Sequence, residues 1–196
     1  MSCRACPAEL GNLLFRFITE SNECWRRSKE SALPDAISMV PLETPFGEIS
    51  IQWHNGKLEA IKLSEFKPTG QFRLRQLSVS DKQLAGLIDA LAAYLSGEAI
   101  RISVPLELFG YTNFQRDVWR VVSELPYGET RTYGWVAAQL GNPGAGRAVG
   151  RALAENPFPI VVPCHRIVRA DGSLGGFSAG LKWKRALLQL EGIHLN

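Results

Sequence analysis

The sequence predicts an α+β protein in which a small sheet is followed by a mainly helical C-terminal part. Residues 49–53 alternate between apolar and polar side chains, as expected for a strand with one buried face. The Asn55-Gly56 pair that follows is typical of a two-residue hairpin turn, and residues 58–63 supply a second strand. From Asn113 onward the apolar residues recur with the period of a helix instead. This change of period indicates a boundary between two domains.

An N-terminal α/β scaffold domain is predicted over residues 39–110. Residues 80–83, Ser-Asp-Lys-Gln, have the pattern of a capping box whose first residue is the N-cap of a helix. The helix is expected to end at Gly97, and a further strand is expected near residues 100–104. The apolar face of this helix consists of Leu84, Leu87, Ile88, Leu91 and Leu95. Residues 1–38 carry no domain signature and are treated as an N-terminal extension without an assigned role.

The C-terminal domain is predicted over residues 113–196 and consists mainly of short helices. Helices are expected over about 113–125, 135–140, 144–154 and 181–190. Pro126, Gly141 and Pro143 end or separate the first three. Short helices joined by glycine and proline turns are typical of a helix-turn-helix unit. An extended segment at residues 160–162, followed by a glycine-rich loop, favours the winged form of that unit.

The composition is that of an ordinary soluble globular protein, with 45% hydrophobic and 21% charged residues among 196. The net charge of +3 is uneven, because residues 113–196 hold 10 basic and 6 acidic residues against 12 and 13 in residues 1–112. A basic domain suits a phosphate-rich partner. No apolar run approaches the roughly 18 residues of a membrane span, and Glu9 and Arg16 make the N-terminus a poor secretory signal. No contact with membranes and a cytoplasmic or nuclear location are therefore expected.

The stretch Pro163-Cys164-His165-Arg166 is the strongest candidate for chemistry. A cysteine thiol has an unperturbed pKa of about 8.5 and reacts as the thiolate, so a neighbouring histidine or arginine favours reaction. A structural cysteine buried in the core is the alternative. On a continuing strand, adjacent side chains point to opposite faces. Either the chain turns at Pro163-Cys164, or a water bridges Cys164 and His165.

Further segments accompany this stretch, which lies within residues 156–167. They are Pro126–Tyr133 (PYGETRTY), Gly141–Gly150, Gly175–Gly180 (GGFSAG) and Leu190–Gly192. In this order they resemble the O6-alkylguanine-DNA alkyltransferases, closely over residues 113–196 and more weakly over 39–112. The resemblance implies a ribonuclease H-like N-terminal domain, followed by a winged helix-turn-helix domain that binds DNA and carries the reactive cysteine.

The resemblance also implies direct reversal of DNA damage. An alkyl group would move from O6-alkylguanine in double-stranded DNA to Cys164, with O4-alkylthymine as a second candidate substrate. The transfer is expected once per protein molecule, without a cofactor, and in a monomer. Two alternatives remain open. One is a relative that binds alkylated DNA without catalysis, and the other is a thiol hydrolase built on Cys164, His165 and Glu191, although adjacent cysteine and histidine are unusual in hydrolases.

Catalytic roles follow from the same resemblance. Cys164 attacks the alkyl carbon in an SN2 displacement. Glu191 orients His165, which acts on the thiol through a water, and Asn156 braces the turn that carries the cysteine. Tyr133 promotes base flipping at the phosphate and donates a hydrogen bond to guanine N3. That donor offsets the negative charge that develops on the base as it loses its alkyl group.

Residues 144–154 resemble the family's recognition helix, which docks in the minor groove. Arg147 is expected to enter the base stack in place of the flipped nucleotide. The other expected DNA contacts are Tyr133, Ala148, Gly150 and Arg151. From the small residues alone, close packing between helices explains this segment equally well. The expected substrate contacts are Ser178, Phe177, Pro159 and Val162. Phe177 stands where some family members have tyrosine, so it lacks a hydroxyl group.

Cys3, Cys6 and Cys24 raise the question of a metal site. A single Cys-x-x-Cys is weak evidence, because a structural zinc site usually has four ligands. His54 would join these cysteines only through a long loop. The metal ligands that some family members carry fall at Val40 and Trp53 in this chain, and neither side chain can bind a metal. No metal is therefore predicted.

Overall fold

The structure is a computed structural model that describes residues 38–68 and 81–195. It has the predicted α+β architecture, with a small antiparallel sheet and several helices. The strands are β1 (Ser38–Thr44), β2 (Gly47–His54), β3 (Lys57–Leu63), β4 (Arg131–Thr132) and β5 (Ile167–Val168). The helices are α1 (Lys82–Leu95), α2 (Asn113–Ser123), α3 (Tyr133–Gln139), α4 (Gly146–Ala154) and α5 (Leu181–Leu190). Within the described ranges, no helix is long and apolar enough to cross a membrane.

The main sheet has the strand order β1-β2-β3 and is antiparallel throughout. The predicted hairpin is confirmed, since Asn55 and Gly56 have positive φ angles of 48° and 73°, as a type I′ turn requires. The alternation predicted along β2 is also confirmed, with its apolar side chains in the core. β1 is an additional edge strand that the sequence analysis does not predict. Pro41 in its centre weakens the sequence signal, although an edge strand tolerates a proline.

Helix α1 begins one residue later than the capping-box pattern predicts. Asp81, rather than Ser80, is the N-cap. The Asp81 carboxylate accepts hydrogen bonds from the backbone N–H groups of Gln83 and Leu84, at 2.8 and 3.2 Å. One carboxylate thus satisfies two donors of the first turn, and Ser80 lies outside the described residues. The predicted apolar face is buried, and Gly97, with a φ angle of 95°, follows the end of the helix as expected.

The strand predicted near residues 100–104 is wrong. Residues 100–104 form neither a helix nor a strand, and this part of the chain meets β3 only at a single bridge between Leu58 and Leu106. Leu58 donates its N–H to the carbonyl of Pro105 and accepts from the N–H of Glu107, both at 2.8 Å. Alternate apolar side chains of the segment pack against the core. The apolar residues at every second position therefore reflect packing against the core and not a strand in a sheet.

The four predicted C-terminal helices are confirmed, with small changes at their ends. A capping box in which Thr112 and Gln115 exchange hydrogen bonds precedes α2. α3 begins at Tyr133, two residues earlier than predicted, because the Thr132 side chain caps it. α4 is preceded by a 3₁₀ turn over Pro143–Ala145, so its α-helical part is slightly shorter than predicted. α5 has the predicted bounds.

The extended conformation predicted for residues 160–162 is also wrong. Ile160 has a φ angle of 75°, which is rare for a β-branched residue. The N–H of Val162 donates to the carbonyl of Phe158 at 2.8 Å, which closes a tight turn. One 3₁₀ turn follows over Cys164–Arg166. Of the two arrangements expected for Cys164 and His165, the structure contains the turn of the chain, so the alternation of a strand does not apply to them.

The sheet and the C-terminal helices share one hydrophobic core. The N–H of Ile61 on β3 donates to the carbonyl of Pro157 at 2.8 Å. The indole Nε1 of Trp183 on α5 donates to the carbonyl of Ser64, also at 2.8 Å. The predicted division into two domains stays a prediction. The shared core joins the scaffold directly to the segments that surround Cys164.

Candidate active site

A buried asparagine, Asn156, holds the turn that precedes Cys164. Its Nδ2 donates hydrogen bonds to the carbonyl of Val162 and to Cys164 Sγ, both at 3.3 Å. Its Oδ1 accepts from the N–H of Phe158 at 3.0 Å. One side chain therefore supplies a donor and an acceptor to a turn whose prolines lack the N–H group. These bonds set the position of the sulfur relative to the turn.

The Cys164 thiol is almost completely buried, with the residue only 5% exposed. Burial raises the pKa of the thiol, while the hydrogen bond from Asn156 and the positive charge of Lys184 act in the opposite direction. A thiol that keeps its proton is a weak nucleophile. Reaction near neutral pH therefore requires a base that can take this proton.

His165 is completely buried, and its two ring nitrogens have different surroundings. Nε2 lies 2.9 Å from Glu191 Oε1 and 3.1 Å from the Tyr94 hydroxyl. Nδ1 has no hydrogen-bond partner among the described residues. Burial lowers the pKa of His165, so the ring is neutral near pH 7. Because the carboxylate accepts a hydrogen from Nε2, the lone pair is on Nδ1, which can accept a proton.

Glu191 is a buried carboxylate that accepts hydrogen bonds from four residues. Oε1 accepts from the Tyr94 hydroxyl at 2.6 Å, and Arg166 donates to both oxygens at 2.9 to 3.1 Å. The backbone N–H of Gly128 donates to Oε2 at 3.1 Å. Burial acts to raise the pKa of this carboxyl, but the hydrogen bonds from His165 and Arg166 bring it down to about 2. Glu191 is therefore ionised and holds the imidazole in one orientation.

Tyr94 and Arg166 belong to this network although neither role is predicted from the sequence. Burial and the nearby Glu191 charge raise the pKa of the Tyr94 phenol, so it stays protonated and donates. Arg166 also donates to the carbonyl of Leu125 at 2.6 Å, so its charge is used inside the protein. A tyrosine on the buried face of a helix needs a hydrogen-bond partner for its hydroxyl. The presence of such a tyrosine is the only indication of this network that the sequence of α1 gives. Its partner lies 97 residues away, and no local pattern identifies it.

A cavity of about 190 Å³ lies beside Cys164. Its lining residues are Tyr133, Gly150, Leu153, Ala154, Cys164, Gly176, Phe177 and Ser178. Five of the predicted site residues therefore line one cavity. They are Cys164, Tyr133, Gly150, Phe177 and Ser178. Pro159 and Val162 do not line this cavity and are buried in the turn before the cysteine. Their contact with substrate stays a prediction.

Tyr133, the first residue of α3, is packed between glycines. A Cβ atom on Gly150 of α4 would lie 3.7 Å from its ring, which is an ordinary contact. A Cβ atom on Gly175 would lie only 2.8 Å from its hydroxyl oxygen. Gly175 also has a φ angle of 68°, so both space and backbone conformation favour glycine there. Burial raises the pKa of the Tyr133 phenol, so it is a protonated donor beside the cavity.

Helix α4 presents small and basic residues to solvent. Arg147, Ala148 and Arg151 are exposed, and Gly150 is half-buried. The aliphatic residues of the opposite face lie in the core. Arg151 Nε lies 3.2 Å from Glu155 Oε1, one turn further along the helix. A surface with small side chains and arginines can come close to a phosphate-rich partner.

The cysteines that raised the question of a metal, Cys3, Cys6 and Cys24, lie outside the described residues. His54 Nδ1 is 3.1 Å from Glu59 Oε1, which lies on the neighbouring strand. Across residues 38–68 and 81–195, no group of three or more histidine, cysteine, aspartate or glutamate side chains could hold a metal ion.

Comparison with known proteins identifies the family. Residues 113–193 match the model of the DNA-binding domain of 6-O-methylguanine DNA methyltransferase. The methylated-DNA–protein-cysteine methyltransferase of Mycobacterium tuberculosis is 41% identical over 150 residues, which cover 76% of this chain and 89% of that protein. The chain belongs to the methylated-DNA–protein-cysteine methyltransferase family.

Solved structures of methylated-DNA–protein-cysteine methyltransferases share this architecture. The crystal structure of Mycobacterium tuberculosis OGT in complex with DNA superposes with a TM-score of 0.66 at 40% identity, over 79% of this chain and 92% of that chain. The O6-methylguanine-DNA methyltransferase of Pyrococcus kodakaraensis superposes with a TM-score of 0.51 at 26% identity, over 81% of this chain and all of that chain. The α+β arrangement of a small sheet and several helices is therefore that of the family.

Proposed function

We propose that this protein repairs DNA by moving an alkyl group from guanine O6 to Cys164. One observation carries the proposal: Cys164 lines a cavity of about 190 Å³ and is followed directly by a buried His165–Glu191 pair. Members of the family are methyltransferases whose acceptor is a protein cysteine. Cys164 is the only cysteine among the described residues, since the other three lie in residues 1–37. A thioether is chemically stable, so each molecule reacts once.

His165 is the base that prepares the thiol. We infer that a water carries the proton from Cys164 Sγ to His165 Nδ1, which has a free lone pair and no partner within residues 38–68 and 81–195. Glu191 stabilises the imidazolium that forms, because its charged oxygen lies 2.9 Å from Nε2. The thiolate then forms a bond to the alkyl carbon while the bond from that carbon to guanine O6 breaks. The electron pair of the broken bond stays on the base.

The cavity supplies donors for the charge that develops on guanine. In this proposal the protonated Tyr133 hydroxyl donates to guanine N3, and Ser178 contacts O6. Both residues line the same cavity as Cys164, which supports their action on one base. Phe177 adds an aromatic wall without a hydroxyl. A base can reach Cys164 only when it has left the duplex, because atoms of a stacked and paired base are not accessible to a nucleophile.

The C-terminal part acts as a winged helix-turn-helix unit. We propose that α4 docks in the minor groove, where small residues such as Ala148 and Gly150 allow a close approach. Arg147 enters the base stack in place of the flipped nucleotide, and its exposure on α4 supports this role. Arg151 is exposed on the same helix. Residues 169–173 form a turn closed by a hydrogen bond from the N–H of Arg169 to the carbonyl of Ser173 at 2.9 Å, and it supplies the wing.

The proposal includes the domain organisation, the oligomeric state and the location of the protein. Residues 39–110 form a ribonuclease H-like scaffold, and residues 113–196 form the domain that binds DNA and reacts. The protein acts as a monomer, without a cofactor, and O4-alkylthymine is a second candidate substrate. A cytoplasmic or nuclear location follows from the need to reach DNA.

The test is a mass measurement on a defined substrate. The protein is mixed with a short duplex that contains one O6-methylguanine, and intact and peptide masses are then recorded. We expect one methyl group per protein, on the peptide that contains Cys164. A duplex with unmodified guanine and the variant Cys164→Ala are the matched controls, and the variant should bind the duplex without gaining mass.

Other outcomes distinguish the alternatives. Tight binding of the lesion by the wild-type protein without a mass gain would support a non-catalytic lesion-binding protein. Continued turnover with release of product and no modified cysteine would support a hydrolase. A methyl group on a different residue, retained in Cys164→Ala, would place the acceptor elsewhere.

A further inference from the structure

A buried lysine on α5 has no role in the mechanism described above. Lys184 is completely buried, and its Nζ donates to the carbonyl of Ile167 at 2.5 Å and to the carbonyl of Gly176 at 3.3 Å. No carboxylate of the described residues lies within ion-pair distance of it. Burial of a charge without a counter-charge is costly, and lysine is rarely buried unless it is paired. The position of this lysine therefore calls for a functional reason.

The two carbonyls that Lys184 contacts belong to the two sides of the active site. Ile167 follows directly after the 3₁₀ turn that carries Cys164. Gly176 lines the cavity and follows Gly175, the glycine that packs against the Tyr133 hydroxyl. A single ammonium group thus joins the segment with the nucleophile to the loop that surrounds the substrate.

The charge of Lys184 also acts on the nucleophile. Burial raises the pKa of the Cys164 thiol, and the ammonium opposes that rise; a Cys164 thiolate in turn opposes the lowering of the lysine pKa that burial causes. Burial brings the pKa of Lys184 down to about 8, and the positive charge of Arg169 acts in the same direction. His165 also experiences the lysine charge, which lowers the pKa of its ring, and Tyr133 faces the cysteine from the other side of the cavity. Among these groups, only Cys164 and Tyr133 can become negative, and an unperturbed thiol is more acidic than an unperturbed phenol.

We propose that Lys184 is a positioning residue for alkyl transfer, whose buried ammonium ties the Cys164 turn to the cavity loop and provides the counter-charge of the Cys164 thiolate. This inference rests on the proposed function of Cys164 as the alkyl acceptor. It also explains why the lysine has no carboxylate partner among the described residues, since its counter-charge exists only while the thiol is ionised. A permanent carboxylate in the same place would cancel the effect of the lysine on the thiol.

The test compares single-turnover methyl transfer from the O6-methylguanine duplex between pH 6 and pH 9. Lys184→Met keeps the length of the side chain and removes its charge, and Lys182→Met, an exposed lysine on the same helix, is the matched control. We expect Lys184→Met to slow transfer at pH 7 by about tenfold or more and to move the inflection of the rate profile upward by about one pH unit. Lys182→Met should keep the wild-type profile, and Lys184→Arg should restore the inflection because it keeps the charge. A Lys184→Met profile that is slower at every pH but keeps the wild-type inflection would overturn the proposal, because a purely structural role predicts that result.

A second measurement needs no lysine variant. The titration of the Lys184 side chain is followed by ¹³C NMR in the wild-type protein and in Cys164→Ala. We expect a higher midpoint in the wild type, because a neighbouring thiolate favours the protonated lysine. Identical titrations would overturn the proposed coupling even if Lys184→Met fails to fold. Absence of methyl transfer by the wild-type protein would instead disprove the proposed function, so the two failures are distinguishable.

Discussion

Replacing Tyr94 by phenylalanine removes one hydroxyl group from the buried network and keeps the packing of the ring. The hydroxyl donates to Glu191 Oε1 at 2.6 Å and lies 3.1 Å from His165 Nε2. The residue is 1% exposed, and its ring packs edge to face against Tyr127 with the centroids 6.0 Å apart. Phenylalanine can make the same ring contact. The effect of Tyr94→Phe therefore measures the hydrogen bonds of the hydroxyl.

The expected magnitude follows from the charge of the acceptor. A hydrogen bond to a charged group contributes roughly 1.5–3 kcal/mol net, so we expect the free energy of unfolding to fall by that amount. For a protein of this size, such a loss lowers the melting temperature by roughly 3–12 °C. Glu191 keeps its bonds from Arg166 and Gly128, so it stays ionised. The bond that orients His165 also remains, so methyl transfer should slow by no more than about tenfold.

The assay is urea unfolding followed by tryptophan fluorescence, together with single-turnover methyl transfer. Tyr127→Phe is the matched control, because its hydroxyl donates to a neutral acceptor, the carbonyl of Leu190, at 2.8 Å. A neutral hydrogen bond contributes roughly 0.5–1.5 kcal/mol, so the control should lose about half as much stability. Equal losses for the two variants, or full stability of Tyr94→Phe, would refute the charged-acceptor reasoning.

Three further predictions concern DNA, the cavity and acid. Arg147→Ala should slow transfer from duplex DNA more than transfer from the free O6-methylguanine base, because only the duplex needs a residue to replace the flipped nucleotide; equal losses on both substrates would contradict this. Gly175→Ala places a Cβ atom 2.8 Å from the Tyr133 hydroxyl on a left-handed backbone, so we expect a loss of about 1 kcal/mol or more in unfolding free energy and slower transfer. Wild-type transfer kinetics in that variant would show that the loop adapts. The pKa of Glu191 is about 2, against about 4.3 in an unfolded chain, so its contribution of about 3 kcal/mol is complete above pH 4.3 and is lost as the pH falls toward 2. The lowered pKa of His165 adds a loss in the same direction below about pH 6.5, and a free energy of unfolding that stays constant from pH 7 to pH 3 would rule out both contributions.

Local patterns predict much of the secondary structure, because the signals for these elements lie within a few residues. The Asn55-Gly56 hairpin depends on two positive φ angles that those residues adopt easily. The end of α1 depends on Gly97, and the start of α2 depends on a capping box. Such elements form wherever the sequence allows the local geometry.

The incorrect secondary-structure predictions lie where contacts with other parts of the chain override the local backbone preference. Residues 160–162 are apolar and β-branched, which favours a strand. In the structure, the Asn156 side chain binds the carbonyl of Val162, and the N–H of that residue closes a turn onto Phe158. Residues 100–104 show the opposite case. Their apolar and polar side chains alternate as in a strand, but among the described residues only the single bridge at Leu106 joins this part of the chain to a strand.

The residues of the candidate site also differ in whether the sequence identifies them. Cys164, His165 and Glu191 are recognisable because they lie in segments that resemble a known family. Tyr94 and Lys184 lie outside those short segments, and their importance depends on contacts with other parts of the chain. A buried polar side chain on an apolar helix face is visible in the sequence, but its partner is defined only by the tertiary structure.

The two faces of α4 can be substituted independently in protein engineering. Toward the protein, a Cβ atom on Gly150 would lie 3.7 Å from the Tyr133 ring, and one on Gly146 would lie 3.9 Å from Tyr133 Cβ, so both positions face Tyr133. Toward solvent, Arg147, Ala148 and Arg151 touch neither the cavity nor the network around Glu191. Because we propose that this face docks on DNA, libraries restricted to the outward positions test that proposal through the affinity for DNA. The residues that line the cavity beside the sulfur would be the same in every member of such a library.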